Sequence, residues 1–484
     1  MEEKINLSRR GFIKTLGTAG AAAYASLQPA FAQILQKKTN VLFIISDDLN
    51  MGLGCYGNSS VKTPNIDRLA EHGVKFTSAV CQYPLCNPSR TSFLSGLRPE
   101  TTGIFDLETH PRKSETLKNA VFLPEYFQKN GYFTAGAGKI THGPFEDAIS
   151  WSIPEIDPQM EMAYIPRVKT KSLTAPFNGS KDIPRWKKWF DGIMIYPSDT
   201  KDEEEPDGIT ATTIANLMKK HRSEPFFLAA GFHKPHVPLC APKKYFDLYP
   251  LSSIKIPEQY EPADHIGKIP KIAFNNIYFP DMPDEQRRQV IQAFCACVSF
   301  MDAQTGRLLD MMDTLNLWDN TVVVFISDNG WHLGEHGGLH NKSTLFEESC
   351  HLPMIVAAPG KKRGVTCPRP VEYVDIYQTL AELAGLPAPE NLEGLSFAPL
   401  LADPMRSWKK AVFSQVTRSQ NIGMQGRSVR TEQYVYNLWP DGSEELYDIV
   451  KDPRQYINSA KDSACQDIMK NMKDILEAGW KKAN

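Results

Sequence analysis

Two unbroken apolar runs, NVLFIIS at Asn40–Ser46 and TVVVFIS at Thr321–Ser327, constrain the fold of this chain more than any other feature. Neither alternates polar with apolar residues, so neither can lie with one face in water. Short length and β-branched content fit strands buried on both faces, as in the interior of a parallel sheet. PFFLAAGFH at Pro225–His233 is a third run of this kind. Helical periodicity separates the runs: TPNIDRLAEHG follows the first, and QRRQVIQAFCACVSFMDAQTGRLLDMMDTL precedes TVVVFIS. Strands alternating with helices predict an α/β fold, a large mostly parallel sheet flanked by helices.

At 484 residues the chain exceeds the usual reach of one hydrophobic core, and two domains are expected. A net charge of −2 gives no bulk attraction to nucleic acid, so any positive charge that binds an anion has to be local. Phe145 to Asp207 is irregular and polar, which reads as loop decoration around a site. YVDIYQTLAELAGL (Tyr373–Leu386) leads into a Pro-rich stretch ending at Asp403-Pro404. Beyond it, AVFSQV, QYVYNLW and EELYDIVKDP read as short strands and the C-terminus as a helix, a small antiparallel sheet with one helix. The expected organisation is a main domain over 33–403 and a C-terminal subdomain over 404–484.

Residues 1–32 have a different character. SRRGFIK (Ser8–Lys14) is a twin-arginine motif, LGTAGAAAYASL is a run of small apolar residues, and AFA closes the segment. A twin-arginine signal peptide cleaved after Ala32 is expected, placing the mature protein in the periplasm or outside the cell. The apolar run is too short to span a bilayer comfortably, and no later segment is long and apolar enough. No stable membrane anchor is therefore expected.

Both strongest strand candidates end alike, in FIISDDLN and VFISDNGW. Ligand sites of open α/β sheets lie outside the carboxyl ends of strands. Two converging tips would present Asp47, Asp48 and Asp328 with the Asn329 amide oxygen, a set that suits a hard cation such as Ca²⁺ or Mg²⁺ better than zinc. A single Asp at a strand end reads more simply as a cap; two matching tips favour the metal.

The nine cysteines are scattered, with no C-x-x-C pair, and the odd count leaves at least one spare. Cys86 lies in PLCNPSRTSFLSGLRP. Arg90 follows it too closely for a thiol phosphatase loop, and the surrounding residues are not those of a papain-like nucleophile. As a purely structural residue it would be a small buried hydrophobe.

CNPSRTSFLSG resembles the signature of the formylglycine-dependent sulfatases, with Cys86, Pro88, Ser89, Arg90, Leu94, Ser95 and Gly96 in register. NVLFIISDDL, GCYGN, TPNIDRLAEHG, GYFTAGAGKITH, GFHKPHVP, DNGWHLGEHG and ELYDIVKDP also look like sulfatase segments, at intervals over almost the whole mature chain. The pattern is most similar to iduronate-2-sulfatase and its bacterial relatives, through GCYG, HKPHVP and GWHLGEHG. The resemblance implies the alkaline-phosphatase-like sulfatase fold, with the catalytic domain at 33–403. It implies that a separate maturation enzyme oxidises Cys86 to formylglycine (3-oxoalanine), and that Asp47, Asp48, Asp328, Asn329 and the oxidised Cys86 hold one Ca²⁺. Asn329 departs from the His of iduronate-2-sulfatase but matches many other sulfatases, whereas His332 departs from that enzyme beside a matching Trp331.

The family's roles carry over by register. Lys139 and Lys342 match sulfate-binding lysines, His142 the base of the elimination step, and His236 the group that hydrogen-bonds sulfate and protonates the departing alcohol. Arg90 would steady the aldehyde and the calcium ligands, and Asp328 would accept a proton. The chemistry agrees with an aldehyde: a thiol attacking sulfur leaves an adduct with no easy exit, whereas a hydrated aldehyde carries two hydroxyls, one to attack and one to expel sulfate. Taken alone, Lys342 reads as a surface lysine and the two histidines as structural; only the register assigns them roles.

The expected substrate is a sulfated carbohydrate, specifically 2-O-sulfated uronic acid residues of a polysaccharide or its oligosaccharides. Asp106, His110, Arg112, Lys234, Trp331 and His336 lie beside the motifs as candidate sugar contacts, with Lys234, Arg112 or His110 supplying a basic group for a uronate carboxylate. The rivals are a phosphonate or phosphodiester hydrolase built on the same modified cysteine, and a non-catalytic carbohydrate-binding relic. A relic has no reason to keep Cys86, Arg90, three Asp, two Lys and two His together.

Overall fold

The two apolar runs pair with each other along their length, parallel and in register from Asn40 opposite Thr321 to Ser46 opposite Ser327. This is a computed structural model that describes residues 38–143, 145, 147–157, 184–257, 269–387, 389–418 and 424–483. The expected signal segment 1–32 lies outside them, as do 158–183 of the stretch expected to be loop-rich.

The main sheet contains β1 (Asn40–Asp47), β2 (Val74–Phe76), β3 (Phe133–Gly138), β4 (Phe226–Pro235), β5 (Thr321–Ser327), β6 (Met354–Ala357) and β7 (Val365–Cys367), in the order β7-β2-β6-β5-β1-β4-β3. All neighbours are parallel except β6, which runs against both β5 and β2. Every residue of β1, β4 and β5 is buried, as their lack of alternation requires.

Both faces are covered by helices. Leu42 and Ile44 of β1, with Val323 and Phe325 of β5, pack on α1 (Pro64–His72), α3 (Pro206–Lys220) and the long α4 (Asp284–Thr314). Val41, Phe43 and Ile45, with Val322, Val324 and Ile326, pack on α2 (Cys86–Ser95) and α5 (Asp375–Leu383). The period of two along a strand thus assigns alternate residues to two cores.

After the main sheet come β8 (Val412–Thr417), β9 (Gln425–Arg430), β10 (Tyr434–Leu438) and β11 (Glu444–Asp448), an antiparallel sheet in chain order, then α6 (Gln466–Ala478). Val429, Tyr436 and Leu446 pack against Met469, Met472 and Leu476 of α6. Val416, Val435, Trp439 and Tyr447 share a core with Tyr83, Leu339, Leu345 and Phe346. The C-terminal sheet therefore packs on the segments that flank Cys86 and Lys342. Thr39–Asn484 forms one compact unit.

Candidate active site

Because β1 and β5 are adjacent and in register, their carboxyl ends coincide, bringing Asp47 and Asp48 beside Asp328 and Asn329. A serine precedes each tip. Ser327 Oγ accepts from Leu49 N at 2.9 Å and donates to Asn329 O at 2.8 Å, and Ser46 Oγ donates to Lys234 O at 2.8 Å. Asp48 has φ 66°, a left-handed conformation costing roughly 1 kcal/mol or more in a residue other than glycine, and its N–H donates to Asp328 Oδ1 at 3.1 Å. Asn329 N donates to the same oxygen at 2.7 Å, and Asn329 Nδ2 donates to Asp48 Oδ1 at 2.5 Å.

The motif around Cys86 folds as a helix buried along its whole length. Cys86 is its first residue. Pro88 falls in the first turn, where the backbone N–H has no intrahelical partner to lose. Gly96 ends it with φ 71°, donating its N–H to Ser92 O at 2.8 Å. Ser89 Oγ donates to Asp328 O at 2.5 Å, and Asn87 Nδ2 donates to Asp106 O and Thr109 O, both at 2.9 Å. Cys86 Sγ comes to rest 3.3 Å from Asp47 Oδ1. One turn on, Arg90 Nε donates to Asp328 Oδ2 at 2.8 Å and Nη1 to the carbonyls of Lys139 and Ile140, while Nη2 lies 3.7 Å from Asp47 Oδ1.

Lys139 follows β3 at a close backbone crossing. Gly138 has φ 77°, and a Cβ there would stand 2.0 Å from Gly231 O. That contact lets Lys139 N donate to Gly231 O at 2.8 Å and aims its ammonium at Asp47 Oδ2. Lys342 Nζ lies 2.5 Å from Asp48 Oδ1 and 2.7 Å from Cys86 Sγ. His236 N donates to Asp47 O at 3.1 Å. Its Nδ1 donates to Val237 O at 2.7 Å, leaving Nε2 facing Asp48 Oδ2 at 3.7 Å. His142 has a buried Nδ1 without a hydrogen-bond partner among the described residues. Burial, with Lys139 acting in the same direction, pulls its imidazole down to about 3, so it stays neutral.

Burial and Asp47 push the Cys86 thiol well above its usual value. Burial acts upward on Asp47 too, but Lys139, His236 and Arg90 together hold its carboxyl well below the carboxylate range. Asp48 is raised to about 7 by burial, with Asp47 and Asp328 adding to the rise against Lys342. Three buried carboxylates thus face the three cations Arg90, Lys139 and Lys342. Asp48 Oδ2 and Asn329 Oδ1 are buried and have no hydrogen-bond partner among the described residues. Ligand atoms of Asp47, Asp48, Cys86 and His236 all lie within 4.8 Å of one another. Orphaned oxygens among crowded carboxylates fit a hard, oxygen-ligated cation. Asp328 is already engaged, by Arg90 at Oδ2 and by two N–H groups at Oδ1.

The other expected contacts are dispersed. Arg112 is committed to the protein: Nε and Nη2 donate to Asp147 at 2.9 and 2.7 Å, and its guanidinium stacks over Phe122. Lys234 is 2% exposed and donates to Pro238 O at 2.7 Å. His336 is buried and stacked on Phe346 at 3.9 Å. Asp106 accepts from Glu108 N and Thr109 N. Trp331 is buried with its ring 6.5 Å from that of His236. His110 accepts from Arg112 N and lies 5.2 Å from the Phe145 ring, which in turn lies 6.1 Å from His142. The sequence reading did not single out Ser46 and Ser327, although each precedes its Asp at the same place in the two runs, a repeat that marks them.

An α/β sheet with carboxylates at its central strand tips, a buried Cys86-Arg90-Lys139-Lys342 group and half-buried His142 and His236 suits an enzyme acting on anionic esters. The family described as Sulfatase matches residues 39–386, and the one described as N-sulphoglucosamine sulphohydrolase, C-terminal, matches 334–482. The chain is 35% identical over 456 residues to a sulfatase of Formosa agariphila, covering 91% of this chain and 86% of that one. It is 32% identical over 527 residues to iduronate 2-sulfatase of Homo sapiens, covering 89% and 92%. The solved phosphonate monoester hydrolase of Agrobacterium radiobacter shares the fold, with a TM-score of 0.72 at 20% identity over 91% of this chain and 95% of that one. The chain belongs to the sulfatase family and is an enzyme that hydrolyses sulfate esters.

Proposed function

We propose that this sulfatase is exported by the twin-arginine route and removes sulfate from a carbohydrate, with 2-O-sulfated uronic acid residues of a polysaccharide or its oligosaccharides as the substrate. It would act through formylglycine made from Cys86 and one Ca²⁺ held by Asp47, Asp48, Asp328, Asn329 and the oxidised Cys86. The observation that carries this reading is the position of Cys86 Sγ, 3.3 Å from Asp47 Oδ1 and 2.7 Å from Lys342 Nζ. The similarity to iduronate 2-sulfatase supports the choice of sugar.

The hydrated aldehyde would supply a hydroxyl nucleophile, and the cation would acidify that hydroxyl and draw charge from a sulfate oxygen. The rest follows from this chain's own groups. Lys139 and Lys342 are compact point charges, one on Asp47 and the other on Asp48, that would hold an anionic sulfate beside Cys86. Arg90 fixes Asp328 and the backbone of Lys139 at once, keeping α2 and both strand tips in one geometry. His236, with Nδ1 donating to Val237 O, turns Nε2 into the site; as the imidazolium it would donate from Nε2 to a sulfate oxygen and hand that proton to the alcohol. His142, neutral and unpartnered at Nδ1, serves as the second base.

Cys86 is fully buried, so a separate enzyme cannot reach it once the chain has folded. Oxidation therefore precedes folding, and hence precedes export of the folded protein. The test is a panel of defined sulfated oligosaccharides, with released sulfate as the readout, using protein shown to carry the aldehyde. Fastest release from 2-O-sulfated uronate is expected. Turnover of an aryl phosphonate well above that of any sulfate ester would overturn the reading.

A further inference from the structure

Lys342 sits in a main-chain conformation that its neighbours do not favour. Asn341 and Ser343, on either side, both have φ 68°, in the left-handed region that residues with a Cβ avoid. Such backbone persists only where its surroundings over-determine it. Three attachments do so here. Asn275 Nδ2 donates to both Lys342 O at 2.7 Å and His340 O at 2.9 Å, while Asn275 Oδ1 accepts from Ile277 N at 2.7 Å. Ser343 N donates to Pro84 O at 3.1 Å, two residues before Cys86. Arg418, directly after β8, donates through Nη1 to Ser343 O, through Nε to Ile272 O at 2.6 Å and through Nη2 to Ala273 O at 2.7 Å.

Arg418 faces three main-chain carbonyls, and among the described residues it makes no ion pair. Its guanidinium stacks over Trp439 at 4.8 Å, and the Trp439 Nε1 donates to Glu445 Oε2 at 2.6 Å, which fixes the ring. A planar fork with five donors can hold three carbonyls from two separate segments; an ammonium on a flexible stem cannot. The carbonyls belong to the Lys342 loop and to the 272–273 segment that also carries Asn275.

We infer that Arg418 and Asn275 are positioning residues for sulfate hydrolysis: from outside the site they lock the 340–343 backbone so that the Lys342 ammonium stands between Asp48 and Cys86. The inference rests on the proposed role of Lys342. It gives the C-terminal sheet a part in catalysis without any of its residues touching substrate. Displacing a charge by about 1 Å in such a site costs on the order of 100-fold in rate.

A double-mutant cycle on the calcium-loaded enzyme with oxidised Cys86 tests this, using p-nitrophenyl sulfate and measuring kcat, KM and Tm for Arg418→Met, Lys342→Ala and the double variant. Expected is a loss of kcat/KM of roughly 30- to 100-fold for Arg418→Met, mostly in kcat, and less than about 3-fold when the same change is made on Lys342→Ala. Equal losses on both backgrounds would make Arg418 a merely structural residue and overturn the inference, as would an unchanged kcat for Arg418→Met. Full activity of Lys342→Ala would instead remove the proposed role of Lys342, and with it anything for Arg418 to position. Should Arg418→Met fail to fold, Arg418→Lys and Asn275→Leu enter the same cycle, with the same coupling expected and the same additive result overturning it.

Discussion

Arg90 Nε donates to Asp328 Oδ2 at 2.8 Å, and this contact joins the helix that carries Cys86 to the tip of β5. Both side chains are buried, at 1% and 0% exposure. Replacing Arg90 by Met leaves Asp328 as an uncompensated buried charge, and a loss of about 3–5 kcal/mol in unfolding free energy is expected in urea titrations. Arg90→Lys keeps the charge but loses the fork that also holds the Lys139 and Ile140 carbonyls. Its kcat/KM should fall by at least about 100-fold.

Lys139→Ala and Lys342→Ala each remove one ammonium from the tip where sulfate is to bind. Each should lower kcat/KM by about 100- to 1,000-fold in steady-state kinetics, with the aldehyde content at Cys86 unchanged by mass spectrometry. Loss of the aldehyde in either variant would show that the lysine acts in maturation.

Removal of the cation should be reversible. A chelator should abolish turnover and lower Tm, and added Ca²⁺ should restore both, since a ligand at 100 times its Kd stabilises by about 2.7 kcal/mol. Asp48→Asn, which alters one of the orphaned oxygens, should lose the Ca²⁺ dependence of Tm. The check is a thermal melt with and without Ca²⁺.

Acid stability should depend on Glu347. Burial alone would raise this carboxyl, but Arg430 and His351, the latter at 2.7 Å, hold it down at about 2 against an ordinary 4.5. The unfolded chain therefore binds a proton at higher pH than the native one. The stabilisation is complete above pH 4.5 and is lost as pH falls toward 2, on the order of 3 kcal/mol across that window. Glu347→Gln should be less stable than the parent at pH 7, with a flatter stability profile between those limits, as measured by urea unfolding at several pH values.

What the chain's sequence made legible follows from which interactions are local. The β1 and β5 runs were readable because a strand buried on both faces needs no partner-dependent pattern, and their matching endings, Asp47-Asp48 and Asp328-Asn329, pointed to the site. Short β6 was not readable, because nothing in four apolar residues tells whether pairing between β5 and β2 will be antiparallel. Strand β3, FTAGAG, looks like a poor strand. Gly138 is there for the close approach to Gly231 that aims Lys139, and Gly136 for the packing of Trp151, both tertiary requirements. Polar β9, QGRSVR, forms only because β8 and β10 flank it. The residues gathered around Asp47 and Asp48 were legible because they sit within motifs, whereas the partners of Arg112 and Lys234, Asp147 and the Pro238 carbonyl, were not. Arg418 lies 75 residues from the Ser343 it holds, and nothing near it in the chain announces the contact.

The most direct test is the mass of the peptide containing Cys86, taken from protein made in a host that carries the maturation enzyme, alongside sulfate release by the same sample. The expected result is replacement of the side-chain CH₂SH by CHO, with turnover proportional to the fraction converted, and with Cys86→Ala as inactive as the unconverted thiol. Full turnover from protein whose Cys86 is entirely thiol would contradict it.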